Sequence, residues 1–150
     1  MTDTSAFRTA LRDWMKAFMH RSMHGMMLYA RRNGFSMPQL RTLAHISRGT
    51  RGVHDVGDDL EITTAAASQM VERMVQQDLI TREEDPRDRR LRQLILTPKG
   101  QQVVDEAFQA GHALVDDLAL ALSPEELEQV TGALLIMIDK ASVLEPPPEE

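Results

Sequence analysis

The feature that most constrains the fold is the segment Asp85-Pro86-Arg87-Asp88-Arg89-Arg90, set between two short runs of strand length, Leu79 to Glu84 and the Leu- and Ile-rich Leu91 to Leu96. Pro86 cannot donate to a strand ladder, and the crowded arginines repel one another, so no continuous strand or helix can pass through. Two runs of strand length joined by such a segment predict a β-hairpin with a basic tip. The other elements read as helices, four before the hairpin and two after it.

The helices follow from apolar spacing and end signals. Phe7, Leu11, Trp14 and Phe18, flanked by Met15, Met19, Met23, Met26 and Met27, predict a long helix over 5–32 that stops near Gly34. Its apolar face is wide enough to need more than one neighbour. Ser36 with Gln39 three residues on is a capping-box pattern, starting a short helix with Leu40, Leu43 and Ile46 on one side. After a loop at 49–52, a third helix (53–60) turns Val56 and Leu60 inward. Thr63 then caps a fourth, 64–77, whose core face is Ala67, Met70, Val71 and Met74. Two short helices joined by a tight turn, the second opening on small polar residues, form a helix-turn-helix pattern. Beyond the hairpin, Thr97-Pro98 and Ser123-Pro124-Glu125-Glu126 are N-cap and first-turn signals for two further helices, to about 122 and 124–144. Glu145 to Glu150, with three prolines, is expected to be a disordered tail.

The fold class expected is therefore mostly α with a small β-hairpin wing, a winged helix-turn-helix between long N- and C-terminal helices. One domain of 150 residues is expected. In it 36–97 form the winged helix-turn-helix, 5–35 and 98–144 the flanking dimerisation helices, and 145–150 the tail.

Charge distribution bears on partners. The net charge of −6 argues against nucleic acid until it is located. Residues 101–150 carry 1 basic and 11 acidic side chains, whereas 31–100 carry 12 basic and 10 acidic. The acidic excess thus sits in the last third, leaving a mildly basic middle that nucleic acid can approach. There is no cysteine, which removes disulfides, thiol nucleophiles, cysteine–metal sites and thiol oxidation as a trigger. The longest run without a polar side chain, Gly132 to Ile138, is too short to span a bilayer, and no signal peptide is visible. A cytoplasmic setting without membrane association is expected. No glycine-rich phosphate loop, nucleophile elbow or paired-carboxylate setting is present, so no enzymatic activity and no cofactor are expected.

The stretch from Leu60 to Gly100 resembles the MarR family of bacterial transcriptional regulators. The matching residues are Leu60, Ile62, Thr63, the run Ala67-Ser68-Gln69-Met70-Val71, Leu79-Ile80, Arg82, the segment Asp85 to Arg90, and Leu96-Thr97-Pro98-Lys99-Gly100. The flanking long helices extend the resemblance to nearly the whole chain. The family usually has glycine where this chain has Glu61 and Asp78, departures that bear on turn geometry. The resemblance implies a sequence-specific, ligand-responsive repressor binding a pseudo-palindromic operator in double-stranded DNA as a homodimer. It also implies a small aromatic or phenolic effector.

Candidate DNA-binding residues follow from face geometry. Opposite the core face of the fourth helix lie Ala65, Gln69, Glu72, Arg73 and Gln76, with Thr63, Thr64 and Ser68 at its N-terminal edge. Gln69 can pair with adenine, Arg73 with guanine or phosphate, and Ala65 can meet a thymine methyl. Taken alone, such a face could equally be solvated surface. Arg87, Arg89 and Arg90 supply the wing; arginine favours a narrow minor groove. Arg89 is the first choice for insertion, Arg87 the second, and Arg90 could instead pair with Asp85 or Asp88 to hold the hairpin in shape. The methionine-rich first helix could line a pliable effector pocket, for which Trp14, Phe18, His24 and His45 are candidates, or simply be dimer core. His20 and His24 share a helix face at i, i+4, as a metal pair requires, but no third ligand is evident and no metal residue is assigned. The alternatives are a winged-helix protein-interaction module without DNA binding and a zinc-responsive regulator.

Overall fold

A computed structural model describes residues 4–49, 52–84 and 92–144. Six helices and one hairpin occur in the order α1 (Thr4–Asn33), α2 (Met37–Ser47), α3 (Val53–Leu60), α4 (Thr64–Gln76), β1 (Ile80–Glu84), β2 (Arg92–Leu96), α5 (Pro98–Ala121) and α6 (Pro124–Ser142). The strands pair antiparallel, from Ile80 opposite Leu96 to Glu84 opposite Arg92. The hairpin expected from Pro86 is present, and its tip, with Arg87, Arg89 and Arg90, lies outside the described residues. So does the tail at 145–150. Among the described residues no helix is long and apolar enough to cross a membrane.

The chain forms two compact units, one reaching to Ala113 and one beginning at Leu114. The core of the first is built from α2, α3, α4, the hairpin and the first part of α5. Leu43, Ala67, Val71, Met74 and Leu79 are wholly excluded from solvent, with Val56 and Ile80 nearly so. Leu43, Val56, Ala67, Val71 and Met74 are inward residues that helical spacing predicts, while Leu60 and Met70, expected with them, are half-buried. Thr42 is also buried, and its hydroxyl has no hydrogen-bond partner among the described residues.

End signals act as the sequence predicts. Ser36 Oγ accepts from the Gln39 amide at 3.3 Å, and the Gln39 side chain accepts from Ser36 N at 2.9 Å. Thr63 caps α4 by accepting from the Ala66 amide at 3.2 Å. In the second unit, Ser123 accepts from the Glu126 amide, and Glu126 accepts from Ser123 N.

The two departures from glycine fall where the backbone is left-handed. Glu61 has φ 54° and ψ 41°, closing α3, and Asp78 has φ 58° between α4 and β1. The chain keeps the turn geometry and bears the strain, since a non-glycine residue there costs roughly 1–2 kcal/mol. Replacing either with glycine is expected to raise stability by about 0.5–1 kcal/mol, glycine's larger unfolded-state entropy offsetting part of the relief. A urea midpoint that fails to rise for both Glu61→Gly and Asp78→Gly would contradict this.

One expectation is met only in part. Among the described residues much of the apolar face of α1 stays uncovered. Only Ala30 is buried in α1, while Phe7, Trp14, Met15 and Met19 stand exposed. In the second unit α6 buries none of its residues, and Leu135, Ile136 and Ile138 are each more than 60% exposed.

Candidate nucleic-acid interface

A clasp joins the recognition helix α4 to the wing. At the junction Gln77 to Leu79 the backbone turns through the left-handed Asp78, and the Leu79 amide closes back on Met74 O at 3.0 Å. The start of α5 grips that turn from outside. Thr97 Oγ1 donates to Asp78 O at 2.7 Å and accepts from the Gly100 amide at 2.9 Å. The Thr97 amide donates to Leu79 O at 3.1 Å, and Lys99 Nζ donates to Gln77 O at 2.7 Å. Gly100 is needed because a Cβ there would lie 1.9 Å from Leu79 O. The Thr97-Pro98-Lys99-Gly100 run thus fixes where α4 ends and the hairpin begins. Helix-end rules read Thr97 and Pro98 correctly, but the acceptors on the far loop are a tertiary feature.

With its core face buried, α4 turns the opposite face outward. Thr64, Ala65, Gln69, Glu72, Arg73 and Gln76 are exposed, and Ser68 is half-buried. Thr63 is exposed at the cap, its hydroxyl committed to the Ala66 amide. The structure therefore brings every α4 candidate onto one accessible surface. Beside it lies an open cleft lined by Val53, Ser68, Gln69, Glu72, Arg82 and Leu94, between α4 and the base of the hairpin. The side chains of Glu72 and Arg82 meet across it at 3.3 Å. Arg82 belongs to the motif that carries the resemblance, yet its partner on α4 is not legible from sequence spacing.

A second cavity, about 250 Å³, opens between α1, α2 and α5 of the first unit. Met23, Met26, Met37 and Phe108 supply apolar walls, and Arg41, His45 and Arg48 the polar lining. Of the four pocket candidates only His45 lines it. Its Nδ1 is paired with an Asp59 carboxylate oxygen. Trp14 and Phe18 lie 6.0 Å apart, ring centre to centre, in an aromatic row that continues through His112 to Phe108. His24 is exposed on α1 away from the cavity. The spacing of α1 shows which residues share a face but not how far along the helix α2 crosses it. Met37, Arg41 and Arg48 were missed for that reason. Among the described residues no group of three or more histidine, aspartate or glutamate side chains could hold a metal ion, so His20 and His24 gain no third ligand.

Behind the cavity the Tyr29 hydroxyl donates to Glu106 at 2.9 Å. Burial, then this carboxylate, pushes the phenol up to about 12, so it stays a neutral donor. Hydrogen bonds from Gln102 and then Tyr29 hold Glu106 below the usual carboxylate range.

Comparison with known proteins shows what the chain is similar to. A profile of the MarR family matches residues 33–91, from the last residue of α1 past the end of β1 and short of β2. The HTH-type transcriptional regulator MhqR of Bacillus subtilis is 27% identical over 129 residues, covering 86% of this chain and 81% of that protein. The helix-turn-helix segment of this chain is thus similar to that of MarR-family regulators. The chain is a DNA-binding transcriptional regulator, as the winged helix and its regulator relatives indicate. Among solved structures, transcriptional regulator Tm0710 from Thermotoga maritima superposes with a TM-score of 0.76 at 19% identity, covering 92% of this chain and 95% of that one. MepR of S. aureus superposes as a variant bound to an oligodeoxyribonucleotide, with a TM-score of 0.58, 20% identity and coverages of 94% and 99%. Its complex with ethidium bromide gives 0.60, 21%, 94% and 97%. At such identities these structures establish the winged-helix fold of this chain and nothing beyond it.

Proposed function

We propose that this protein acts as a homodimer on a pseudo-palindromic operator, placing one α4 in the major groove of each half-site and one wing in the adjacent minor groove. The observation that carries the reading is the outward face of α4. Thr64, Ala65, Gln69 and Arg73 stand together on an exposed surface beside the hairpin, while Ala67, Val71 and Met74 anchor the opposite side in the core. Gln69 and Arg73 are the base-reading residues of this proposal. Thr63, Thr64 and Ser68 serve the phosphates near the helix start, and Arg87, Arg89 and Arg90 serve the minor groove.

The homodimer rests on uncovered apolar surface. Phe7, Trp14 and Met19 on α1, and Leu135, Ile136 and Ile138 on α6, are too many large exposed side chains for an isolated soluble chain. Helices 5–35 and 98–144 are accordingly assigned to dimerisation. Two-fold symmetry then sets the half-sites about one helical turn apart, roughly 10 base pairs.

For the effector, the methionine-walled cavity is the better place than the Trp14–Phe18 row. Its size suits a single-ring aromatic or phenolic molecule, and thioethers adapt to irregular shapes. MepR, solved bound to ethidium bromide, offers a precedent for an aromatic ligand on this fold. Gln39 Nε2 donates to the Gln77 side chain at 3.3 Å, so a shift of α2 reaches the end of α4.

Selection from random duplex DNA tests the reading, and an enriched palindrome is the expected result. Gln69→Ala is then expected to cost about tenfold or more at one base pair of each half-site while barely changing non-specific affinity. Equal losses on every sequence would remove Gln69 from base reading.

A further inference from the structure

Resting on that DNA-binding reading, we propose that Arg82 is a positioning residue for DNA binding: it holds the Glu72 carboxylate on the exposed face of the recognition helix and cancels its charge against the phosphates. Glu72 is exposed on the same outward face as Gln69 and Arg73, about one turn after Gln69 and beside Arg73. A free carboxylate there opposes every phosphate contact the face makes, because like charges brought together in an interface are strongly unfavourable. The structure gives that carboxylate a partner. Arg82 Nη2 of β1 reaches Glu72 Oε2 at 3.3 Å across the cleft between helix and hairpin.

Magnitude separates this role from a structural one. The Glu72 side chain is 52% exposed and that of Arg82 31%, and an ion pair at such a surface contributes little to folding. The core beneath does not depend on it, since Val71, Met74, Leu79 and Ile80 are buried through apolar contacts. What the pair changes is the potential that DNA meets. It also ties the hairpin base to α4 at the point where the reading helix and the wing must be held at one separation.

The test compares Arg82→Gln, Glu72→Gln and the double variant with the unaltered protein. The probe is a mixed-sequence DNA duplex of roughly 30 base pairs at about 50 mM salt, where phosphate contacts dominate. Arg82→Gln is expected to weaken binding about tenfold. Glu72→Gln is expected to stay within about threefold of the parent or to tighten, and adding it to Arg82→Gln should restore affinity to that range. Thermal midpoints of all four proteins should agree closely, which a stabilising role would not allow. A double variant as weak as Arg82→Gln, with a salt dependence reduced by about one phosphate, would overturn the proposal and make Arg82 a direct phosphate ligand. Unchanged affinity in all three variants would overturn it as well. If the unaltered protein bound no duplex, the DNA-binding reading would fail first and the proposal with it.

Discussion

Gly100→Ala is expected to destabilise the protein by about 3 kcal/mol or more, well beyond an ordinary surface substitution. The added Cβ would sit 1.9 Å from Leu79 O, 2.9 Å from its carbonyl carbon and 3.4 Å from its Cα. All three are backbone atoms, so no side chain can swing away. Leu79 is itself wholly buried, and its carbonyl accepts from the Thr97 amide, so moving it costs both core packing and a hydrogen bond. The damage should reach DNA binding, because the displaced loop joins α4 to the wing. Urea unfolding with intrinsic fluorescence and circular dichroism would measure it. Lys99→Ala is the matched control. It removes an exposed hydrogen bond to Gln77 O and is expected to cost no more than about 1 kcal/mol. A loss for Gly100→Ala no larger than that of the control would refute the clasp.

The second large effect is expected at the crossing of α1 over α5. A Cβ on Gly25 would lie 2.0 Å from Ala110 O and 2.9 Å from its carbonyl carbon. The helices approach this closely because Gly25 and Gly111 leave their backbones bare, and the Ser22 hydroxyl donates to Gly111 O. Gly25→Ala must force the two helices apart, at an expected cost of about 2–3 kcal/mol. Gly111→Ala differs in kind. Its Cβ would meet Met26 Cγ at 3.1 Å, the middle of a flexible side chain, and the gain in helix propensity of roughly 0.5–1 kcal/mol offsets the adjustment. The expected order in thermal midpoint is therefore Gly25→Ala far below Gly111→Ala. If the two were equal, the packing at this crossing would be looser than the distances require. Since α1 carries much of the proposed dimer surface, sedimentation of Gly25→Ala should also show weaker dimerisation.

The two glycines of greatest consequence were differently legible. Gly100 is part of the motif that carries the family resemblance, so its presence was noted, but its neighbour Leu79 lies 21 residues back and only the fold brings them together. Gly25 carries no signal in the sequence, and only the crossing with α5 makes it a requirement. The same holds for Arg82, a recognised motif residue whose partner on α4 depends on how the hairpin folds back, and for Arg41 and Arg48, which line a cavity that no single helix defines.

What the sequence determined by itself was local. Helical spacing selected Ala67, Val71 and Met74 as the buried face of α4, and hence Gln69 and Arg73 as its outward face. Ser36, Thr63 and Ser123 marked helix starts, and Pro86 with its crowded charges demanded a hairpin. These succeed because helix periodicity, capping and proline geometry act within a few residues of chain. The tertiary structure decided which faces meet and how closely: Glu72 with Arg82, Leu79 against Gly100, Gly25 on Ala110, and the line along α1 where α2 closes the methionine cavity. Those are distances between segments remote in sequence, set by the packing of the whole core, and no local pattern encodes them.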